Sequence, residues 1–198
     1  MGISKRADLE EYFEIDAASD ERLEFVNGSI RSVSGVTIEH SKIYSNLVRL
    51  LFSELQSKNY LMVSSQMKLY FSNDYVFCPD IHIYCGDLKK EKMKHGSYAL
   101  KEPKIIIEIL SATTTSYDKD EKFECYRQIT SIEKYIMIES DLSEEDEEGN
   151  PKTKKEPKVY VRDIESKNKF VEEVFDLEGV LDILGCKINV KDIYEFVL

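Results

Sequence analysis

The chain lacks three features that would each announce a class of function. No apolar run approaches the roughly 20 residues that cross a bilayer, so no membrane span is expected. The cysteines Cys78, Cys85, Cys125 and Cys186 are widely spaced, with no CxxC pair to bind zinc or perform redox work. The first three stand in apolar strand or helix patterns and read as small core residues, while Cys186, after Gly185, carries no stronger signal. Such usage fits a reducing cytoplasm, and the opening residues Met1–Asp8 lack the apolar core of a signal peptide. The third absence is positive charge. With 27 Lys and Arg against 38 Asp and Glu, the net charge is −11, and phosphate binding ordinarily wants a basic footprint.

The distribution of charge softens that objection to a nucleic-acid partner. Residues 139–148 hold seven acids and no Lys or Arg, and removing those seven leaves −4 on the rest. Two basic clusters stand out, Lys89–His95 and Lys152–Lys155. Charge runs of this kind usually belong to solvated loops, and residues 139–157 read as an acidic and basic surface loop.

What is present is enough apolar sequence to build a core: 42% hydrophobic and 11% aromatic residues in a chain of 198. There is no internal repeat and no linker, so residues 1–198 are expected to form one domain. Ala7 to Ile15 reads as a short helix, and Arg22 to Val33 as a hairpin turning at Asn27-Gly28. An amphipathic helix follows over Glu39–Ser57, with Ile43, Leu47, Leu50, Leu51 and Leu55 on one face and Thr37 as its cap. Strands are predicted near 60–71, 75–85 and 103–110, then a helix over Ser116–Ile129 and a strand over Glu133–Ile138. Lys158–Arg162 and Phe170–Phe175 should make a terminal hairpin, with a last helix over Val190–Val197. The central order of helix, three strands, helix and strand predicts an α/β sandwich around a mixed sheet, with extra hairpins.

The chemistry is expected on two of these strands. Lys104–Leu110 is so apolar that it should be covered on both faces, where an isolated Glu108 would cost several kcal/mol unless a cation or strong donor meets it. Strand alternation over 76–84 sets Asp80 on one face with Cys78 and His82. If Asp80 and Glu108 point the same way, their hard oxygens suit Mg²⁺ or Mn²⁺ with water in the remaining positions. Lys122 shares a helix face with Tyr126 and Ile129, turned toward the sheet. Alone it would read as a snorkelling lysine; beside two acids it reads as a group that orients water or stabilises phosphate charge.

These residues resemble the Uma-two family, grouped with restriction endonucleases in the PD-(D/E)XK nuclease superfamily. The matching blocks run through Leu9–Tyr12, Leu23–Ile30, His40, Pro79-Asp80, Ile107–Ser111, Tyr117–Lys122 with Tyr126, and Ile132–Tyr135. The resemblance implies a nuclease core in which Asp80 and Glu108 ligate a divalent metal. The superfamily lysine two residues after the Glu is Leu110 here, and the family's displaced lysine falls on Lys122. Glu24 would be an additional acid. His40 would contact a phosphate or orient Glu24, or it is a helix-start histidine satisfied by backbone. Departures from the family pattern are Ser111-Ala112-Thr113-Thr114, without a proline, and Asn27-Gly28-Ser29 in the hairpin.

The function expected is therefore Mg²⁺-dependent hydrolysis of DNA phosphodiesters, by a chain able to pair as a homodimer. A non-catalytic module keeping the nuclease fold is the rival reading. A third keeps the metal chemistry and applies it to RNA or nucleotides.

Overall fold

Residues 6–33, 37–111, 116–142 and 155–198 are described by the computed structural model. Helix α1 (Leu9–Ala18) starts at a capping box in which Asp8 accepts from Glu11 N and Glu11 from Asp8 N. The hairpin of β1 (Leu23–Val26) and β2 (Ser29–Ser32) turns through Asn27 and Gly28, both at positive φ (47° and 82°), as a type I′ turn requires. Thr37 caps α2 (Ile38–Ser57) by accepting from His40 N at 3.2 Å.

The predicted strand at 60–71 divides into β3 (Tyr60–Ser64) and β4 (Leu69–Ser72), and that at 75–85 into β5 (Tyr75–Phe77) and β6 (Ile81–Cys85). In each pair the two halves join different sheets. Pro79 supplies no N–H for a ladder, and Cys78 N turns away to a side chain, so the chain leaves one sheet there and enters the other. The basic run read as a solvated loop instead contains β7 (Lys89–Lys92), which pairs with β8 (Tyr98–Lys101). Strand β9 (Ile105–Leu110) is buried at all six positions, as expected.

A π-helical segment (Tyr117–Lys122) and one turn of α-helix, α3 (Phe123–Tyr126), replace the longer α-helix expected over 116–129. Strand β10 (Lys134–Glu139) follows, then the expected hairpin of β11 (Val159–Ser166) and β12 (Lys169–Phe175). A further hairpin of β13 (Val180–Ile183) and β14 (Cys186–Asn189) had no sequence expectation, and the terminal helix α4 covers only Val190–Ile193. Ala112–Thr114 and most of the acidic loop, with Lys152–Lys154, lie outside the described residues.

The strands form two six-stranded mixed sheets, β2-β1-β5-β4-β8-β7 and β12-β11-β10-β9-β6-β3. In the second, β9 and β10 run parallel, joined by the π-segment and α3, and the other neighbours are antiparallel. Helix α2 lays Ile43, Leu47, Leu51 and Leu55 on the face carrying Ile105, Ile107 and Ile109. Each such buried side chain contributes about 1.5–3 kcal/mol. On the opposite face, Ile106, Leu110, Tyr135 and Met137 pack with Phe123, Tyr126 and Ile129, and with Leu69 and Phe77 of the first sheet. Cys78 and Cys186 are buried, but Cys85 is exposed at the end of β6 rather than in the core. Among the described residues, no helix is long and apolar enough to cross a membrane.

One buried polar group makes the fold pH-sensitive. His82 on β6 is fully buried, with Nε2 3.3 Å from the Ser64 carbonyl and Nδ1 2.7 Å from the Tyr84 hydroxyl. The carbonyl only accepts, which assigns the proton to Nε2 and leaves Nδ1 accepting from Tyr84. Burial lowers the His82 pKa to about 4. A histidine depressed in the fold contributes stability that is present above its unfolded pKa and lost as pH falls from about 6.5 to 4. The loss is on the order of 3 kcal/mol. Urea unfolding of wild type and His82→Gln across that window should show the wild type losing more; parallel pH profiles would rule out this source.

Candidate active site

The site lies where the two sheets meet. Alternation along β1 sends Leu23 and Phe25 toward α1, while Glu24 and Val26 face the second sheet. Glu108 on β9 shares the face of Ile106 and Leu110, as expected. Lys122 closes the π-segment between them. Its Nζ stands 2.8 Å from Glu108 Oε1, 3.0 Å from Glu24 Oε1 and 3.6 Å from Asp118 Oδ1. Residue exposure is only 2% at Glu24, 3% at Glu108 and 4% at Lys122, so water does little of the solvation and the ion pairs do most of it.

Further hydrogen bonds fix each carboxylate. Glu24 Oε1 accepts from Cys78 N at 2.8 Å, and Glu24 Oε2 from the Tyr117 hydroxyl at 3.3 Å. Glu108 Oε1 accepts from the Tyr126 hydroxyl at 2.9 Å. The π-segment is held by side-chain donors on its carbonyls, Tyr135 to Asp118 and Arg162 to Lys119.

Asp80 does not sit on a strand face with Cys78 and His82, because it occupies the break between β5 and β6. Its meeting with Glu108 comes from a reciprocal crosslink instead. Asp80 N donates to Glu108 Oε2 at 3.2 Å, and Ile109 N donates to Asp80 Oδ2 at 2.9 Å. His40, on the first turn of α2, places Nε2 3.0 Å from the same Oδ2. His40 therefore orients Asp80 and not Glu24, and Glu24 is held by Lys122, Cys78 N and Tyr117.

Burial, with Asp118 and Asp80 adding like charge, pushes the Glu108 pKa up to about 8, although Lys122 opposes it. Burial also works against the Lys122 ammonium, but Glu108 and Glu24 outweigh it and raise its pKa well above the ordinary lysine value. For Asp80 burial is outweighed by His40 and the Ile109 N–H, which hold it below the usual carboxylate range.

Carboxylate oxygens such as those of Asp80 and Glu108 are donors that a hard cation with water in its other positions would accept. Among the described residues, Asp80 takes its hydrogen bonds on Oδ2 and Glu108 Oε2 accepts from the Asp80 N–H, which leaves Asp80 Oδ1 without a described partner. Among the described residues no group of three or more His, Cys, Asp or Glu forms a metal cage. Two carboxylates with water suit Mg²⁺ better than a dedicated protein cage would.

Tyr117, Asp118 and the backbone N–H of Cys78 and Ile109 belong to this network without having been assigned roles from sequence. Tyr117 and Asp118 did fall within a family block, and the i, i+4 spacing of Asp118 and Lys122 was the available signal. The backbone donors left no signal at all.

Residues 9–162 match the Uma2 family, described as "Putative restriction endonuclease". The uncharacterized protein sll1609 of Synechocystis sp. is 29% identical over 130 residues, covering 65% of this chain and 72% of that protein. A second uncharacterized protein of Synechocystis sp., slr1290, is 25% identical over 147 residues, or 71% and 75% of the two chains. The fold is similar to a crystal structure from Anabaena variabilis described as "a putative nuclease belonging to DUF820". That likeness has a TM-score of 0.69 at 18% identity, over 96% of this chain and 99% of that one.

Removing the lysine alone should cost far more than removing it together with Glu24 and Glu108. Lys122→Met leaves Glu24 and Glu108 buried without a cation and should destabilise by about 3–5 kcal/mol. Adding Glu24→Gln and Glu108→Gln should restore much of that. Urea denaturation of the single and triple variants checks this, and equal losses in the two would show that the carboxylates do not depend on Lys122.

Proposed function

This chain belongs to the Uma2 family, and on that footing we propose that it is a divalent-metal-dependent endonuclease that hydrolyses phosphodiester bonds of DNA. The observation that carries the reading is the buried Lys122 bridging Glu24 and Glu108, with Glu108 crosslinked to Asp80. The lysine normally two residues after the Glu is Leu110, and Lys122 brings an ammonium to Glu108 from another element.

Asp80 and Glu108 would hold the cation, which when bound polarises a phosphoryl oxygen and offsets the charge developing on it. His40 and the Ile109 N–H keep the Asp80 carboxylate ionised and aimed. Tyr126 and Lys122 both fix Oε1 of Glu108, which directs Oε2 toward Asp80. Lys122 stays protonated, so its role is to place positive charge beside the reacting phosphate rather than to remove a proton. Glu24 positions Lys122 and need not touch substrate.

The net charge of −11 favours one alternative, a module that keeps this fold without catalysis. The two readings separate in a plasmid-nicking assay with Mg²⁺ or Mn²⁺. Asp80→Asn and Glu108→Gln should each lower the rate by about 100-fold or more. No nicking by wild type, together with a flat calorimetric titration of Mn²⁺, would favour the non-catalytic module. Nicking that survives both substitutions would remove Asp80 and Glu108 from the chemistry.

A further inference from the structure

A cleft of about 430 Å³ opens beside Asp80, with walls that include Arg22, His40, Tyr44, Ser65 and Gln66. Its volume falls in the range of small-ligand sites. Among the described wall residues Asp80 is the only acid and Arg22 the only arginine or lysine.

Arg22 is half-buried, and no carboxylate among the described residues forms an ion pair with it. Four other arginines are paired: Arg31 with Glu121, Arg49 with Glu195, Arg127 with Glu124 and Arg162 with Glu172. The backbone of Arg22 is fixed where β1 begins, its carbonyl accepting from Val33 N at 2.8 Å. Two residues further on, the same strand delivers Glu24 to Lys122.

A planar guanidinium whose donors meet no acceptor among the described residues, flanked by hydroxyl and amide side chains, matches a phosphodiester. We propose that this cleft binds an uncut phosphodiester flanking the scissile one, gripped by Arg22, so that the substrate is a polynucleotide strand rather than a mononucleotide. The proposal rests on the nuclease reading of the neighbouring acids, but it concerns binding and can be tested apart from cleavage. Arg22 is then a substrate-binding residue that fixes the register of the strand against Asp80.

The test is fluorescence anisotropy with a labelled single-stranded DNA oligonucleotide, in EDTA and again in Ca²⁺, over a series of KCl concentrations. Wild type should bind, and Arg22→Ala should weaken binding by about tenfold or more. The slope of log affinity against log salt should fall by about one phosphate contact. Arg22→Lys should recover part of the affinity, and Arg49→Ala should match wild type. Thermal melting should be unchanged in Arg22→Ala, whose side chain makes no ion pair with the described residues. Absence of oligonucleotide binding by wild type, unchanged affinity and salt slope in Arg22→Ala, or equal competition by a mononucleotide would overturn the proposal. Cleavage with Arg22-independent binding would sink this inference and leave the nuclease reading standing. Arg22-dependent binding without cleavage would do the reverse.

Discussion

The structure around the site depends on one buried cation. An ammonium removed from water loses several kcal/mol of solvation, and only close acids with good geometry return it. Lys122 meets that demand with Glu108 from one sheet, Glu24 from the other and Asp118 from its own segment. The ion cluster is thus the polar part of the interface between the sheets, whose apolar part is Phe77, Leu69, Tyr126 and their neighbours. Because its acids come from separate elements, the cluster constrains how those elements meet as well as where the lysine sits. The π-segment fits this duty, since a wider turn held by Tyr135 and Arg162 sets Lys122 where the two acids converge.

That arrangement explains how a lysine can be absent from position 110. Leu110 is buried and packs with Phe123 and Tyr126, and so contributes to the apolar layer beside the site. The positive charge then arrives from the connection between β9 and β10. A strand position and a connecting segment can deliver the same ammonium to the same carboxylate, because the carboxylate sees only charge and distance.

The sequence made some parts of this plain and hid others for definite reasons. The run Ile105–Leu110 announced a strand covered on both faces, and a lone carboxylate within it demanded a partner; both held. The apolar periodicity of α2 was equally clear. Asp80 does meet Glu108, but not through strand alternation, because the chain breaks between β5 and β6 where Pro79 stands. What aims Asp80 is a pair of backbone N–H groups and His40, and backbone donors carry no side-chain signal. The strand at Lys89–Lys92 was concealed because exposed strands need not be apolar, and the β13–β14 hairpin because it is short. The π-segment has no recognisable spacing of its own and read as ordinary helix.

The remaining tension is between an acidic chain and the phosphate-bearing substrate proposed for it, and location decides it more than the sum does. Association is governed by the local field within about 10 Å at ordinary salt, so a distant acidic surface is largely screened. Glu139, pairing with Leu110 in register, sits about 8 Å from Glu108 by strand spacing. It would be a serious repulsive charge if bare, but Lys155 stands at 2.9 Å and the Tyr160 hydroxyl at 3.0 Å, with Lys119 at 3.8 Å. Glu24, Glu108 and Asp118 share the one ammonium of Lys122, which offsets part of their charge. Cations therefore stand among the acids around the site, Lys122 with Glu24, Glu108 and Asp118, and Lys155 with Glu139. Arg22 is a cation with no carboxylate paired to it among the described residues. A field built this way is far less negative than the composition implies, and it is the field that a phosphodiester would meet on entering the cleft.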